Sequence, residues 1–277
     1  MKNTYQSIYA SGQSIRRYPE ADVVAFATKL KKPKVLMDFG TGTGRNLLPL
    51  IQHCITGGLV VGSDLASTGI QNIARWIKSS GGIEIGIEYL SSKERQLVDK
   101  IFINSEKVLF FYITRRLDVS FIGPVGIFPR DTSNTDTVLV CLDNSDMANP
   151  NFNHNTADAI INRGNIMYLD SEKIPLVVEK NYQILKPNGS LFLSVKSKED
   201  TRFKTCEKIQ GFPNRRKQTS GPQKGLEMEF HDKQSLLKLI QKFNLVKLCH
   251  VISDDQTRGE VFADYTAVLQ KPSIPNR

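Results

Sequence analysis

The sequence predicts an α/β fold: a seven-stranded, mostly parallel sheet with helices on both faces, a C-terminal antiparallel hairpin and one insertion. Three observations predict it. Short apolar runs bounded by turn residues recur at 34–39, 59–64, 137–143, 156–162 and 190–196. Apolar residues at helical spacing fill most of the intervals between them. Near the end, runs at 245–252 and 261–269 flank Ser253-Asp-Asp-Gln-Thr-Arg-Gly259, the pattern of an antiparallel hairpin. Strands that alternate with helices form a parallel sheet covered on both faces. Such sheets gather ligands at the carboxyl ends of their strands.

Residues 1–33 read as an N-terminal arm and helix that caps a cofactor or substrate site. Tyr5, Tyr9 and Tyr18 stand in this arm with Arg16 and Arg17; they either cover a ligand or pack the arm on the domain. Pro19 opens the helix, because its fixed φ and missing donor suit the first turn. Val23, Phe26, Ala27 and Leu30 supply its apolar face, and Pro33 ends it.

Residues 34–277 form the main domain. Lys34–Phe39 is a buried strand that runs into Gly40-Thr-Gly-Thr-Gly44. A helix begins near Arg45, carries Leu47, Leu48 and Ile51 inward, and tolerates Pro49 because it comes early. Gly57-Gly58 break the chain before the strand Leu59–Asp64. A second helix spans Thr68–Lys78, with Ile70, Ile73, Ala74 and Ile77 as its stripe. The rhythm then stops, and 84–136 reads as an insertion. It contains a charged helix over 91–100, strands at 107–113 and 118–122, and turns at Gly123-Pro-Val-Gly126 and Pro129. Strands resume at Thr137–Asp143 and Thr156–Asn162. A helix over 171–185 buries Ile174, Val177, Val178, Tyr182 and Leu185. Lys186-Pro-Asn-Gly189 predicts a tight turn in which the glycine supplies positive φ. A strand at 190–196 precedes a polar loop at 198–227, and Asp232 caps a last helix that reaches Phe243.

Composition excludes some functions. With 40% apolar residues, 277 residues suffice for a sizeable core. No run approaches the roughly eighteen apolar residues of a membrane span. The N-terminus lacks the apolar run of a signal peptide, so the expected location is the cytoplasm and no membrane partner is expected. Cys54, Cys141, Cys206 and Cys249 are irregularly spaced, and His53, His154, His231 and His250 form no cluster. Neither pattern supports a metal site. The net charge of +9 suits anionic partners, nucleic acid included, and equally a basic small-molecule enzyme.

The glycine loop narrows the ligand. Glycines between a strand and a helix let the backbone turn sharply and let a ligand approach. A dinucleotide fingerprint needs glycine at position 45, where Arg45 stands, and a phosphate-cradling loop needs Gly-Lys-Ser/Thr, which is absent. Asp38, just before the loop, would repel phosphate. Asp64, twenty residues beyond Gly44, can accept two hydrogen bonds from a ribose diol. Asp143 beside Asn144 can read adenine, with Asp146 as a nearby competitor. Three acids and a glycine loop at strand ends suit an adenosine ligand with a positive centre and no phosphate.

Here the chain resembles the class I S-adenosylmethionine-dependent methyltransferases. Val35-Leu-Met-Asp-Phe-Gly-Thr-Gly-Thr-Gly44 looks like their first motif and Val61-Gly-Ser-Asp-Leu-Ala-Ser67 like their second. Asp143 with Ser145-Asp-Met147, then Ala157-Asp-Ala-Ile160 and Leu185-Lys-Pro-Asn-Gly189, looks like the remainder. Arg17-Tyr-Pro-Glu20 and Ser197-Lys-Glu-Asp-Thr-Arg-Phe203 are similar to a bacterial small-molecule branch related to tellurite-resistance enzymes. The resemblance covers 34–84 and 137–196; the insertion departs from it. It implies a Rossmann-like fold and S-adenosyl-L-methionine as cofactor. Gly40, Gly42 and Gly44 would wrap the methionine part, and Asp38 would orient its ammonium. Asp64 would bind the ribose, and Asp143 with Asn144 the adenine. Thr41, Asn46 and Leu65 complete the implied cofactor set, and Asn162 or Arg163 would line the transfer site.

Candidate catalytic residues are Arg163, Tyr168, which a packing role explains as well, and His231, which as a lone histidine is more often a surface or capping residue. No Pro-Cys dipeptide points to covalent catalysis, and Asn162-Arg-Gly-Asn165 stands where many amino-group methylators carry Asn/Asp-Pro-Pro-Tyr. The expected acceptor is a small molecule. One alternative is RNA or protein, held by the insertion and the basic loop 198–224 with Lys204, Lys208, Arg215, Arg216, Lys217 and Lys224. That charge cluster reads otherwise as a solvated face. Another alternative is a non-catalytic cofactor-binding scaffold.

Overall fold

A computed structural model describes residues 18–114, 136–220, 223–257 and 259–273. The expectations for Tyr5, Tyr9, Arg16 and Arg17, for a strand at 118–122 and for turns at 123–126 and 129 lie outside these residues. The chain divides into two units, Met1–Ile160 and Ile161–Arg277.

In the first unit, helix α1 (Ala21–Ala27) precedes strand β1 (Val35–Phe39), helix α2 (Leu47–His53), strand β2 (Leu59–Ser63) and helix α3 (Ser67–Ser79). Strand β3 (Ile83–Ile85), helix α4 (Ser92–Ile101), and strands β4 (Leu109–Thr114), β5 (Thr137–Asp143) and β6 (Ala157–Asn162) follow. The last two residues of β6 begin the second unit. Strand order in the first unit is β3-β4-β5-β2-β1-β6. β2 runs parallel to both β1 and β5, with Leu59 opposite Val35 and Leu139. Every residue of β1 and β2 is buried, as unbroken apolar runs require when a sheet is covered on both faces. On α3 the buried stripe is Ile70, Ile73 and Ile77, each contributing roughly 1.5–3 kcal/mol on full burial.

Part of the 84–136 insertion is built into this sheet. β4 pairs antiparallel with β5, Leu109 opposite Leu142, and β3 pairs with β4. α4 starts from a reciprocal cap. Ser91 Oγ accepts from Glu94 N, and the Glu94 carboxylate accepts from Ser91 N at 2.9 Å. Tyr112 of β4 donates to the same carboxylate at 2.7 Å, which ties strand to helix.

In the second unit, helix α5 (Lys173–Ile184) leads into strand β7 (Leu185–Ser197) and the short helix α6 (Thr201–Thr205). Strands β8 (Glu207–Ile209), β9 (Phe212–Lys217) and β10 (Glu227–His231), helix α7 (Lys233–Leu239), and strands β11 (Asn244–Asp255) and β12 (Glu260–Gln270) complete it. β12 pairs antiparallel with β7 and with β11, confirming the expected hairpin. β10 pairs parallel with the end of β7, Phe230 opposite Lys196, and antiparallel with β9.

The α/β class, with parallel strands and covering helices, stands as expected, with corrections of detail. Twelve strands are described: the seven expected for the sheet, β4 where the insertion was expected to hold a strand at 107–113, and four more, β3, β8, β9 and β10, of which β8 and β9 lie in the expected polar loop 198–227 and β10 starts at its last residue. That segment folds because its arginines are satisfied internally. Arg216 is buried, donates to Phe203 O, Pro213 O and Arg215 O, each at 2.8 Å, and stacks on the Phe203 ring at 4.0 Å. Arg215 donates to Glu227 at 2.8 Å and to Leu169 O. The cluster is therefore not uniformly solvated, although Lys204, Lys208, Lys217 and Lys224 are exposed.

Residues 186–189 form the start of β7, and the positive φ belongs to Asn188, not Gly189. The turn is displaced because Asn188 N donates to Lys271 O and Lys271 N to Gly189 O, extending the ladder. α7 ends at Leu239, four residues short of Phe243, and α1 ends at Ala27 before Pro33. No helix among the described residues is long and apolar enough to cross a membrane.

Candidate functional site

The carboxyl ends of β1, β2 and β5 bring the three acids to one edge of the first unit's sheet. β1 delivers Asp38 buried, one residue before its end, and the chain then turns through three glycines. Gly40, Gly42 and Gly44 all hold positive φ, at 63°, 60° and 84°, a region open to glycine at little strain. At Gly44 a side chain also lacks room: a Cβ would lie 2.9 Å from Ile73 Cγ1 of α3.

The loop is fixed by its own acids. Thr41 Oγ1 donates to Asp38 Oδ2 at 2.7 Å, and Thr41 N donates to Ser63 O at 3.0 Å. Asp64, just past β2, accepts from Gly42 N at Oδ2 and from Ala66 N at Oδ1, both at 2.8 Å. One carboxylate thus joins the glycine loop to the start of α3. Each oxygen keeps a further lone pair.

At the end of β5, Asp143 is buried and accepts from Ser145 Oγ, from Asn151 Nδ2 at 3.3 Å and from Ser63 Oγ at 3.5 Å. Asp64 N donates to Asp143 O at 3.2 Å, and Asn144 Nδ2 donates to Asp64 O at 2.7 Å. Asp146 is spent on a local turn, accepting from Ala148 N at 2.9 Å. Asp143 rather than Asp146 therefore occupies the buried strand end.

Burial pushes Asp38 up to about 7, and the nearby Asp64 charge pushes the same way. Burial also raises Asp64 and Asp143. Desolvation is the largest cause in all three. Such an edge repels phosphate and favours ligands that bring donors or positive charge.

Leu65 is half-buried beside Asp64. Asn46 is buried and precedes α2, and its Oδ1 accepts from Glu20 N at 3.2 Å. Arg45 pairs with Glu20 at 2.5 Å. This second tether holds the entry to α1 against the loop, and the sequence reading missed it. Ser63 and Asn151 around Asp143 were missed as well; Ser63 alone carries a signal, as the last residue before Asp64.

Asn162, Arg163, Tyr168 and His231 belong to the second unit. Asn162 is fully buried at the end of β6, and neither amide atom has a hydrogen-bond partner. Arg163 donates to Ser194 Oγ at 3.3 Å and lies 3.8 Å from Asp264. Tyr168 Oη accepts from Gln223 at 3.3 Å. His231 ends β10, and burial lowers it to about 4, so its imidazole is neutral at physiological pH. Among the described residues no cluster of His, Cys, Asp or Glu could hold a metal ion.

The model of a methyltransferase-domain family matches residues 12–250. The chain belongs to this family. It is an S-adenosylmethionine-dependent methyltransferase with a Rossmann-like fold. No curated protein matches the methyltransferase in sequence. Among solved structures, it is similar to an S-adenosylmethionine-dependent methyltransferase from Methanosarcina mazei, at 13% identity and TM-score 0.59, covering 90% of this chain and 98% of that one. It is also similar to 1,6-didemethyltoxoflavin-N1-methyltransferase of Burkholderia thailandensis, solved with 1,6-didemethyltoxoflavin and S-adenosylhomocysteine. That likeness has 13% identity and TM-score 0.55 and covers 98% and 87% of the two chains. A third is TehB from Haemophilus influenzae, at 13% identity and TM-score 0.52, covering 96% and 67%. Likenesses this distant show a shared fold, and they do not single out the tellurite-resistance branch.

Proposed function

We propose that the methyltransferase holds its cofactor at the strand-end acids of the first unit and methylates a small molecule. One observation carries the reading: three buried acids, each raised by desolvation, stand at the ends of β1, β2 and β5 beside a loop of three left-handed glycines. The residues fit the group. Asp64 keeps lone pairs for two ribose hydroxyls while clamping the loop. Asp38 suits an ammonium, and Asp143 with Asn144 suits adenine. Gly40, Thr41, Gly42, Gly44, Asn46 and Leu65 line the same loop.

When bound, the cofactor supplies a methyl group on a sulfonium, a good leaving group for in-line displacement. The chain's own task is then orientation, which can contribute roughly 7–11 kcal/mol. A general base is required only for a weakly nucleophilic acceptor. Arg163 and Tyr168 are bound to neighbours in the second unit, which favours positioning roles for them.

Two points favour a small-molecule acceptor over RNA or protein. The burial of Arg215 and Arg216 removes two of the eight basic side chains of 198–224, the segment that the alternative reading gives to a macromolecule. The similar Burkholderia enzyme, whose name gives a small heterocycle as substrate, matches 98% of this chain and 87% of its own. A cytoplasmic location accords with this reading.

The test is calorimetry with S-adenosylhomocysteine. Asp64→Ala should weaken binding at least tenfold, and unchanged affinity would discard the ribose assignment. A screen with methyl-labelled cofactor against metabolite fractions and total RNA then tests the acceptor. Label in RNA alone would overturn the small-molecule reading, and label in neither pool would favour the scaffold.

A further inference from the structure

We propose that the second unit carries its own small-molecule pocket, which takes an aromatic primary amine through Glu229 and His231. The inference is independent of the cofactor reading. A cavity of about 400 Å³ lies between α5, α7 and β10, within the size range of ligand pockets. It exists because α7 stops at Leu239. The chain leaves the helix early, and Phe243 packs edge-on against Tyr182 of α5 with ring centroids 5.2 Å apart. Ile174, Val178, Leu239 and Phe243 give the cavity apolar walls that fit a flat ring.

Two of its polar groups come from one face of a strand, beside Asn214, Lys238, Gln241 and Lys242, which also line it. Glu229 and His231 are two residues apart on β10, so both side chains point the same way. Glu229 is only 8% exposed, and among the described residues the one hydrogen bond to its carboxylate comes from Ser171 Oγ, donating to Oε2 at 2.6 Å. A carboxylate this buried, with one neutral hydrogen bond, calls for a cation or further donors.

His231 is buried, and its Nε2 has no partner. The tautomer follows from Ser235. Its hydroxyl lies 3.0 Å from Asp232 O and 3.5 Å from His231 Nδ1. The shorter contact takes the hydroxyl proton. Nδ1 then carries the imidazole proton toward Ser235 Oγ, leaving the Nε2 lone pair free. Burial keeps the ring neutral, which preserves that acceptor.

The pocket therefore offers two acceptors at one end and an apolar slot at the other. The cations near it do not satisfy Glu229: Lys242 is held by Glu179 at 2.7 Å, Lys198 by Asp232 at 2.7 Å, and Lys238 is exposed. The chemistry that fits is a protonated amine on a ring, donating to Glu229 and His231 together.

The experiment titrates benzylamine, benzyl alcohol and benzoate into the full chain at pH 7.5 by NMR, following the His231 ring nitrogens. Benzylamine should bind at least tenfold tighter than benzyl alcohol and shift the His231 nitrogens, and benzoate should not bind. Glu229→Gln should abolish the preference for the amine. Leu239→Trp, which fills the slot, should abolish binding of benzylamine and benzyl alcohol. Both variants should bind S-adenosylhomocysteine like the parent, which separates this pocket from the cofactor site. Equal binding of the three probes, or an amine preference that survives Glu229→Gln, would overturn the proposal. If Glu229→Gln does not fold, the order of probes in the parent and its loss in Leu239→Trp decide the matter.

Discussion

At the scale of the residue, Asp38 is the group whose protonation most directly couples to binding. Burial and the Asp64 charge raise it to about 7. In the free protein its raised pKa means that the folded state binds a proton that the unfolded chain has already released. Its contribution to stability is therefore full below the ordinary carboxylate range and is lost as pH rises through about 7. A cofactor ammonium reverses the preference, because it favours the ionised carboxylate. S-adenosylhomocysteine affinity should accordingly rise roughly fivefold to tenfold between pH 6 and pH 7.5, with proton release measurable by calorimetry in two buffers. Asp38→Asn should flatten that dependence; an identical profile in the variant would remove Asp38 from the ammonium. Gly44 supports a prediction about stability. Alanine there must adopt φ near 84° and place its Cβ 2.9 Å from Ile73 Cγ1. Gly44→Ala should destabilise the protein by about 1–3 kcal/mol in urea unfolding. A change below about 0.5 kcal/mol would mean that α3 yields more readily than its packing implies.

At the scale of the element, the segment between β7 and β10 shows how far a side chain can override its usual surface preference. Arg216 sits buried on β9, with three carbonyl acceptors and the Phe203 ring around its guanidinium. Arg216→Met should cost about 2–4 kcal/mol, because it leaves those carbonyls unpaired in a buried setting. Arg216→Lys should recover little, since one ammonium cannot reproduce a planar fork. Hydrogen exchange of the β8 and β9 amides is the readout, and protection unchanged in Arg216→Met would refute the anchoring role. The same segment explains why this part of the fold was hidden in the sequence. Arg215, Arg216 and Lys217 have the composition of a solvated loop, and only tertiary partners reveal a strand. Elements set by local pattern were legible: β1 and β2 as unbroken apolar runs, α3 by its stripe, and the β11–β12 hairpin by its polar turn. Asn188 was misjudged because a glycine stood next to it, and pairing with Lys271 moved the positive φ by one residue.

At the scale of the whole molecule, the net charge of +9 raises the question of an anionic partner. Asp38, Asp64 and Asp143 were readable as strand-end acids because each follows a short apolar run. The tie from Ser63 to Asp143 and the tether of Glu20 to Asn46 and Arg45 were not, because they join residues far apart in sequence. Charge is a global quantity and places no group. Of the eight basic residues in 198–224, Arg215 and Arg216 are buried with their own acceptors, and Lys198 and Arg202 are paired with Asp232 and Asp200, leaving Lys204, Lys208, Lys217 and Lys224 exposed. Four cations on a single strand of RNA give a slope of log affinity against log salt of about −3. Binding to a labelled RNA should therefore fall roughly fiftyfold between 50 and 200 mM salt. Replacing the four lysines with glutamine should remove nearly all of the salt dependence without changing S-adenosylhomocysteine affinity. Submicromolar RNA binding that persists at 200 mM salt, with a slope well beyond −3, would require a larger basic surface than this segment supplies. It would shift the acceptor from a small molecule to nucleic acid.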